Sequence, residues 1–357
     1  MQSKSQAPSI TTGPITAQLL LFFFPILLGT FFQQLYNTVD TIIVGNFVGT
    51  NTALAAVGGA TGQLVNLFVG FFIGLSSGCG VIISQYYGAR DQNAVSKSVH
   101  TALAFSLLSG VVIMVLGLLL TDFSLRAMSL PEEIMPEATA YLRIFFLGMI
   151  PNLFYNMGAA VLRAIGDSKR PLYFLILSCL CNIVLDLIFV AYLRLGVSGA
   201  ALATILSQLA SAVMVLFVLL RTKSDVRLIP SQLRLEPFWL KKMIYVGLPA
   251  GLQSTMYTVS NIIVQATINS FGTNTIAAVT AYGKMDVIFW MVINAFGIAI
   301  TTFVGQNYGA GKTERAFRGF RAALLLAAIG TLLLSGIIWL FGMNFLLFFT
   351  KDPDVLA

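Results

Sequence analysis

Four oxygen-bearing side chains in apolar surroundings are the residues of this sequence best placed to do chemistry: Asp40, Asn182, Asp186 and Thr204. Asp40 lies in the run from Pro25 to Val48, PILLGTFFQQLYNTVDTIIVGNFV, where it is the lone charge. A carboxylate in hydrocarbon costs roughly 3 kcal/mol on insertion scales, so one kept there points to function. Asp186 sits in a similar run, with Asn182 one helical turn before it on the same face. Asp40 is about eight residues, and Asp186 and Thr204 each about seven, from one end of their runs, which at about 1.5 Å per residue places them in one slab. Two carboxyls, an amide and a hydroxyl at one depth suit a proton or a small hard cation such as Na⁺. The plainer alternative makes Asn182 and Thr204 interhelical hydrogen bonders. Asp40 would then reach toward the interface.

The elements that must hold these residues follow from composition. Of 357 residues, 57% are hydrophobic and 10% charged, with a mean hydropathy of +0.86. Soluble domains carry roughly 25% charged residues, so this composition belongs to an all-α integral membrane protein. A spanning helix needs about 20 apolar residues. That criterion predicts nine spans, at 15–45, 53–84, 98–120, 138–160, 171–193, 198–220, 243–268, 276–305 and 320–348. Of the 21 Lys and Arg, sixteen fall on one side of this arrangement and three on the other, with Arg143 and Lys284 inside spans. The excess marks the cytoplasmic face and puts the amino terminus inside. The net charge of +7 is therefore a topology signal, and no nucleic-acid partner is expected. Cys79, Cys179 and Cys181 lie in apolar runs and imply neither disulfides nor zinc. His100 is the single histidine, which argues against a histidine-based metal or acid–base centre. The polar opening MQSKSQAPSITTGP has no cleavable signal peptide pattern.

The chain repeats itself. Pro25 recurs as Pro249 and Asn37 as Asn261, both 224 residues on, and Gln85-x-Tyr87-Gly88-Ala89 recurs 221 residues on as Gln306-x-Tyr308-Gly309-Ala310. Gly49-Thr50-Asn51-Thr52 also returns, as Gly272-Thr273-Asn274-Thr275. The period holds six spans, so the two copies share one orientation about an axis along the membrane normal. The domain plan is a first lobe over 1–220, a basic cytoplasmic linker over 221–242 and a second, partial lobe over 243–357. Two full copies need roughly 445 residues, so about three spans of the second copy are expected to be missing.

The second copy does not reproduce the acid. The counterpart of Asp40 is Val264, although Asn37 keeps its partner Asn261. Span 8 instead carries Lys284 and Asp286, which are two apart and share no helical face. Gln34, Asn37, Asn261, Gln265, Lys284 and Asp286 are the candidate cavity-lining residues. Pro25 removes a helical hydrogen bond and is a candidate hinge, the alternative being a static bend. Gly309-Ala310-Gly311-Lys312-Thr313 looks like the end of a phosphate-binding loop, but the required earlier glycine is Gln306 and an apolar helix precedes it. No nucleotide is expected, and no catalytic constellation appears.

Taken together, NTVDTIIVGNFVG (37–49), SQYYGARD (84–91), VLRAIGDSKRP (161–171), CNIVLDLIFV (181–190), GVSGAALATILSQ (196–208) and GQNYGAGK (305–312) resemble the MATE (multidrug and toxic compound extrusion) transporters. The resemblance implies two six-helix lobes in the bacterial plasma membrane and export of cationic or amphipathic small molecules in exchange for H⁺ or Na⁺ by alternating access. No cofactor beyond the coupling ion is expected, and the chain is expected to be a monomer. The resemblance also implies that Asp40, Asn182, Asp186 and Thr204 form the coupling site of the DinF-like branch and that Pro25 is its bending proline. The NorM-like branch has a carboxylate in span 7, where this chain has Asn261, Gln265 and Asn269. The competing readings are a lipid-linked precursor flippase of the same superfamily, an inactive truncated fragment, and an intramembrane carboxyl enzyme. The flippase would need several cavity cations where only Lys284 is deep, and the enzyme would need its carboxyls near 3 Å apart.

Overall fold

The computed structural model describes residues 10–48, 51–58, 60–128, 130–269 and 273–349. Gly49, Thr50 and Gly272 of the repeated motif, and the last eight residues, lie outside the described residues. The described residues form eleven α-helices in order: α1 Ile15–Phe47, α2 Asn51–Gly58, α3 Ala60–Gly88, α4 Gln92–Ala127, α5 Met135–Leu147, α6 Met149–Ala164, α7 Lys169–Asp186, α8 Gly196–Arg221, α9 Pro237–Asn269, α10 Thr273–Gly309 and α11 Thr313–Phe349. Seven helices are long and apolar enough to cross a membrane, and α5 with α6, bent by 50° at their break, makes an eighth. The ninth expected span is α9. It has the length, but Gln253, Ser254, Thr255, Thr258, Ser260 and Asn261 leave it too polar to qualify by composition.

Two expected spans also differ in form, for local reasons. The fourth breaks at Gly148 because Pro151 cannot sit over the carbonyl of Leu147 four residues earlier. Pro151 is instead absorbed in the first turn of α6, where its missing N–H costs nothing. The fifth span continues past Asp186 as a π-helical turn, Leu187–Tyr192, before Arg194 and Gly196 reverse the chain at φ 53° and 61°.

The halves are interlocked rather than placed side by side. The second half's first helix, α9, packs along α3 of the first half more extensively than any other helix pair. Reciprocally, α1 packs on α10, with the Phe23 and Phe296 rings stacked at 4.0 Å between centroids. The α3–α9 seam runs through Gly70, Gly74 and Gly78 on one helix and Gly247, Gly251 and Ser254 on the other. A Cβ at Gly74 would come within 2.6 Å of Gly251 Cα, so only glycine lets the two backbones approach this closely.

The repeated loop motif closes the same end of the bundle. A Cβ on Gly88 would overlap the carbonyl of Gln306, and one on Gly309 would overlap the carbonyl of Gln85. This exchange of equivalent contacts is what a two-fold relation between the repeats requires. Lys242 of α9 adds a latch, donating to the Tyr86 hydroxyl at 2.7 Å and lying 4.3 Å from the Phe238 ring centroid. The basic segment between the halves is not a free tether. Val226 and Leu228 are buried with α4, α6 and α8, and the Ile229 N–H donates to His100 Nε2 at 2.9 Å. His100 thus acts as a strut, its other nitrogen paired with the Ser96 carbonyl at 2.7 Å.

Candidate functional site

The predicted polar slab is assembled by α1, α7 and α8. On α7, Ser178, Asn182 and Asp186 recur every fourth residue and so share a face. On α8, Thr204, Ser207 and Ser211, spaced three and then four residues apart, also share a face, and all three are buried. The register between these faces is set by Ser178, whose Oγ donates to the Ser207 carbonyl at 2.9 Å. The π turn begins immediately after Asp186 and rests on α8 at Gly199, where a Cβ would lie 3.1 Å from the Phe189 backbone. Such π turns are frequent at functional sites because they turn side chains away from the regular helical register.

Asp40 is 6% exposed, Thr204 1%, and Asn182 and Asp186 are fully buried. One carboxyl oxygen of Asp40, both of Asp186, both amide atoms of Asn182 and the Thr204 hydroxyl are buried without a hydrogen-bond partner among the described residues. Buried polar atoms are normally paired, and each orphan costs about 1–3 kcal/mol. Six such atoms fall on these four residues. The described residues hold no cluster of three or more His, Cys, Asp or Glu side chains. The donor set of carboxylate, amide and hydroxyl oxygens suits a proton or Na⁺, not a softer transition metal.

Two tyrosines join the site that sequence reasoning did not pick out. Tyr36, one turn before Asp40 on the same face of α1, lies within electrostatic reach of Asp40 and Asp186 and beside Thr204. Tyr141 of α5, 7% exposed, is in reach of Asp40, Asp186 and Tyr36. The i−4 spacing from Asp40 was the available signal for Tyr36. Tyr141 had none, because only packing brings α5 to α1.

The remaining candidates are dispersed. Pro25 is partly buried within an unbroken α1, and its missing N–H leaves the Leu21 carbonyl without its helical donor. Between Gly29 and Asp40 no residue of α1 is fully buried. Asn37 there donates to Gln34 Oε1 at 3.3 Å. Asn261 is exposed on α9, and Asp286 on α10 accepts the Trp290 indole N–H at 3.0 Å. The side chains of Gln265 and Lys284 lie outside the described residues.

The chain is similar to known transporters over nearly its whole length. The family model MatE matches residues 25–188 and 249–357, the two repeats. "Probable multidrug resistance protein YpnP" of Bacillus subtilis (strain 168) is 31% identical over 356 residues, covering 99% of this chain and 78% of that protein. A crystal structure of MATE in the bent conformation superposes with a TM-score of 0.89 at 26% identity, over 97% of this chain and 78% of that one. A MOP superfamily transporter from Pyrococcus furiosus, described as having a binding pocket of reverse polarity that suggests a different function, gives a TM-score of 0.91 at 26% identity, over 99% and 79%. With both repeats matched and the helices superposing throughout, this multi-pass membrane protein is a transporter and not an enzyme, and it belongs to the MatE family.

Proposed function

We propose that the chain is a secondary active multidrug efflux antiporter, in which Asp40, Asp186, Asn182 and Thr204 bind the coupling H⁺ or Na⁺. The observation that carries this reading is the set of six orphaned polar atoms on these four buried residues. Burial disfavours the bare carboxylate, and an incoming proton or cation relieves that cost. A site that binds the ion more tightly in one conformation than in the other draws the protein toward that conformation. The relative named a probable multidrug resistance protein supports the cargo assignment.

The coupling elements belong to the first half. The second-half counterpart of Asp40 is Val264, which is exposed and cannot exchange an ion. The glycine seam and the reciprocal Gln85 and Gln306 contacts close the end that bears the basic loops, which we assign to the cytoplasm. Pro25 lies in the helix that bears Asp40, and the helical hydrogen bond it removes makes it the candidate hinge of α1.

Proteoliposomes with a pH gradient or a Na⁺ gradient imposed separately test the reading. Ethidium efflux driven by one gradient is expected, and efflux indifferent to both would refute ion coupling. In the same assay Thr204→Val, which keeps the shape and removes the hydroxyl, should raise the ion concentration for half-maximal efflux by about tenfold. Pro25→Ala restores the helical hydrogen bond and should slow turnover while leaving that half-maximal concentration unchanged. A parallel loss of ion affinity in Pro25→Ala would show that the proline shapes the site and is no hinge.

A further inference from the structure

The segment that joins the two halves crosses the start of α4 as an arch. One foot is held by His100, whose Nε2 accepts the Ile229 N–H at 2.9 Å. The other is held by Thr101, whose hydroxyl oxygen accepts the Glu236 N–H at 3.4 Å. The two clamps are adjacent on α4, yet residues 230–235 lie between their partners and bow away, with a 3-10 turn at Pro230–Gln232. Beneath the bow is a cleft of about 320 Å³, at the lower end of the volumes that hold organic ligands.

The lining is rich in donors and poor in acceptors. Lys97 and Thr101 contribute from α4, and Ser231, Gln232, Arg234 and Glu236 from the arch. Glu236 is the one carboxylate among them, and Arg234 donates to its Oε1 from Nε at 3.0 Å and Nη2 at 2.6 Å. That pair lies at the surface, with 71% of the Arg234 side chain exposed, and an exposed pair is easily redirected. Lys97 is half-buried and has no ion pair or side-chain hydrogen bond among the described residues. The Thr101 hydroxyl accepts a bond but has no acceptor there for its own proton. Two cations against one carboxylate leave the cleft with a positive excess. A phosphate ester offers several acceptor oxygens, which suits this inventory better than the two oxygens of a carboxylate.

We propose that this cleft binds the phosphate group of a small ester, with Lys97 and Arg234 as counter-charges from its two walls and the Thr101 hydroxyl as a donor. A soluble phosphate ester and the headgroup of an anionic lipid present the same anion. The bound group ties the arch to α4 at a third point, between the two backbone clamps. Because the arch is the covalent link between the halves, occupancy stiffens that link. The inference uses neither the coupling carboxyls nor the cargo, so it stands or falls apart from antiport.

The test is calorimetric titration of the purified full chain with glycerol 3-phosphate, beside native mass spectrometry with phosphatidylglycerol and the zwitterionic phosphatidylcholine. Saturable binding of glycerol 3-phosphate supports the site with a soluble ester as its ligand. Retention of phosphatidylglycerol over phosphatidylcholine, without glycerol 3-phosphate binding, supports it with the lipid headgroup. Lys97→Gln should weaken whichever probe binds about tenfold, with Lys97→Arg recovering most of the loss. Arg234→Gln, on the opposite wall, should weaken it about fivefold and tests the site even if Lys97→Gln does not fold. Arg318→Gln removes an exposed cation paired with Glu314 on α11 and should change binding less than about twofold. Amide exchange at Ile229 and Glu236, the two clamped N–H groups, should slow when the probe is bound. Binding of neither probe, or an equal loss in Lys97→Gln and Arg318→Gln, would overturn the site. Binding that leaves exchange at both amides unaltered would place the anion elsewhere and overturn it as well.

Discussion

Asp40→Asn is expected to bring gradient-driven efflux down to the background of empty vesicles, with the protein still folded and inserted. Asparagine matches aspartate in shape, so packing on α1 survives. What it cannot do is release a proton or balance the charge of a bound cation, and the exchange that alternating access needs is lost. Asp186 shares the burial and has both carboxyl oxygens orphaned, so Asp186→Asn should act in the same direction. The measurement is ethidium efflux beside a thermal unfolding midpoint. Wild-type efflux by Asp40→Asn would remove α1 from the coupling machinery. A collapsed midpoint would show that the acid is structural.

Gly74→Val should produce the other large effect, through packing and not through charge. Overfilling a packed interior costs about 1–3 kcal/mol when side chains can adjust. Here the added carbons meet the backbone of Gly251, which has no rotamer to change. The α3–α9 seam would have to open, separating the halves at the end where they close. A lower unfolding midpoint together with lost efflux is expected. Gly297→Ala is the matched control, because a Cβ there meets nothing within 4 Å. If Gly74→Val keeps both properties, the close approach of α3 and α9 is not what holds the halves together.

The sequence by itself determined the quantities that run along one helix. The membrane class, most of the spans, the duplication and the common depth of Asp40, Asn182, Asp186 and Thr204 all follow from apolar run lengths and a fixed rise per residue. The same local logic located Tyr36 beside Asp40 in principle, although its significance appears only once Asp186 is known to be near. It could also have anticipated the break at Gly148, since Pro151 announces it, but an apolar run conceals a bend.

Only the tertiary structure decided what lies sideways. Tyr141 reaches the carboxyls from α5, and Lys242, a basic residue like its neighbours by sequence, is the one latched to Tyr86. Repeated motifs 221 residues apart turn out to touch each other, Gly88 against Gln306 and Gly309 against Gln85. The physical reason is the range of the forces involved. Helix rise and the cost of charge in lipid act on each segment alone and leave their mark in its residues. Which face of one helix meets which face of another depends on shape complementarity summed over the whole bundle, and glycine, the residue that permits the closest approach, carries no side chain to announce its partner.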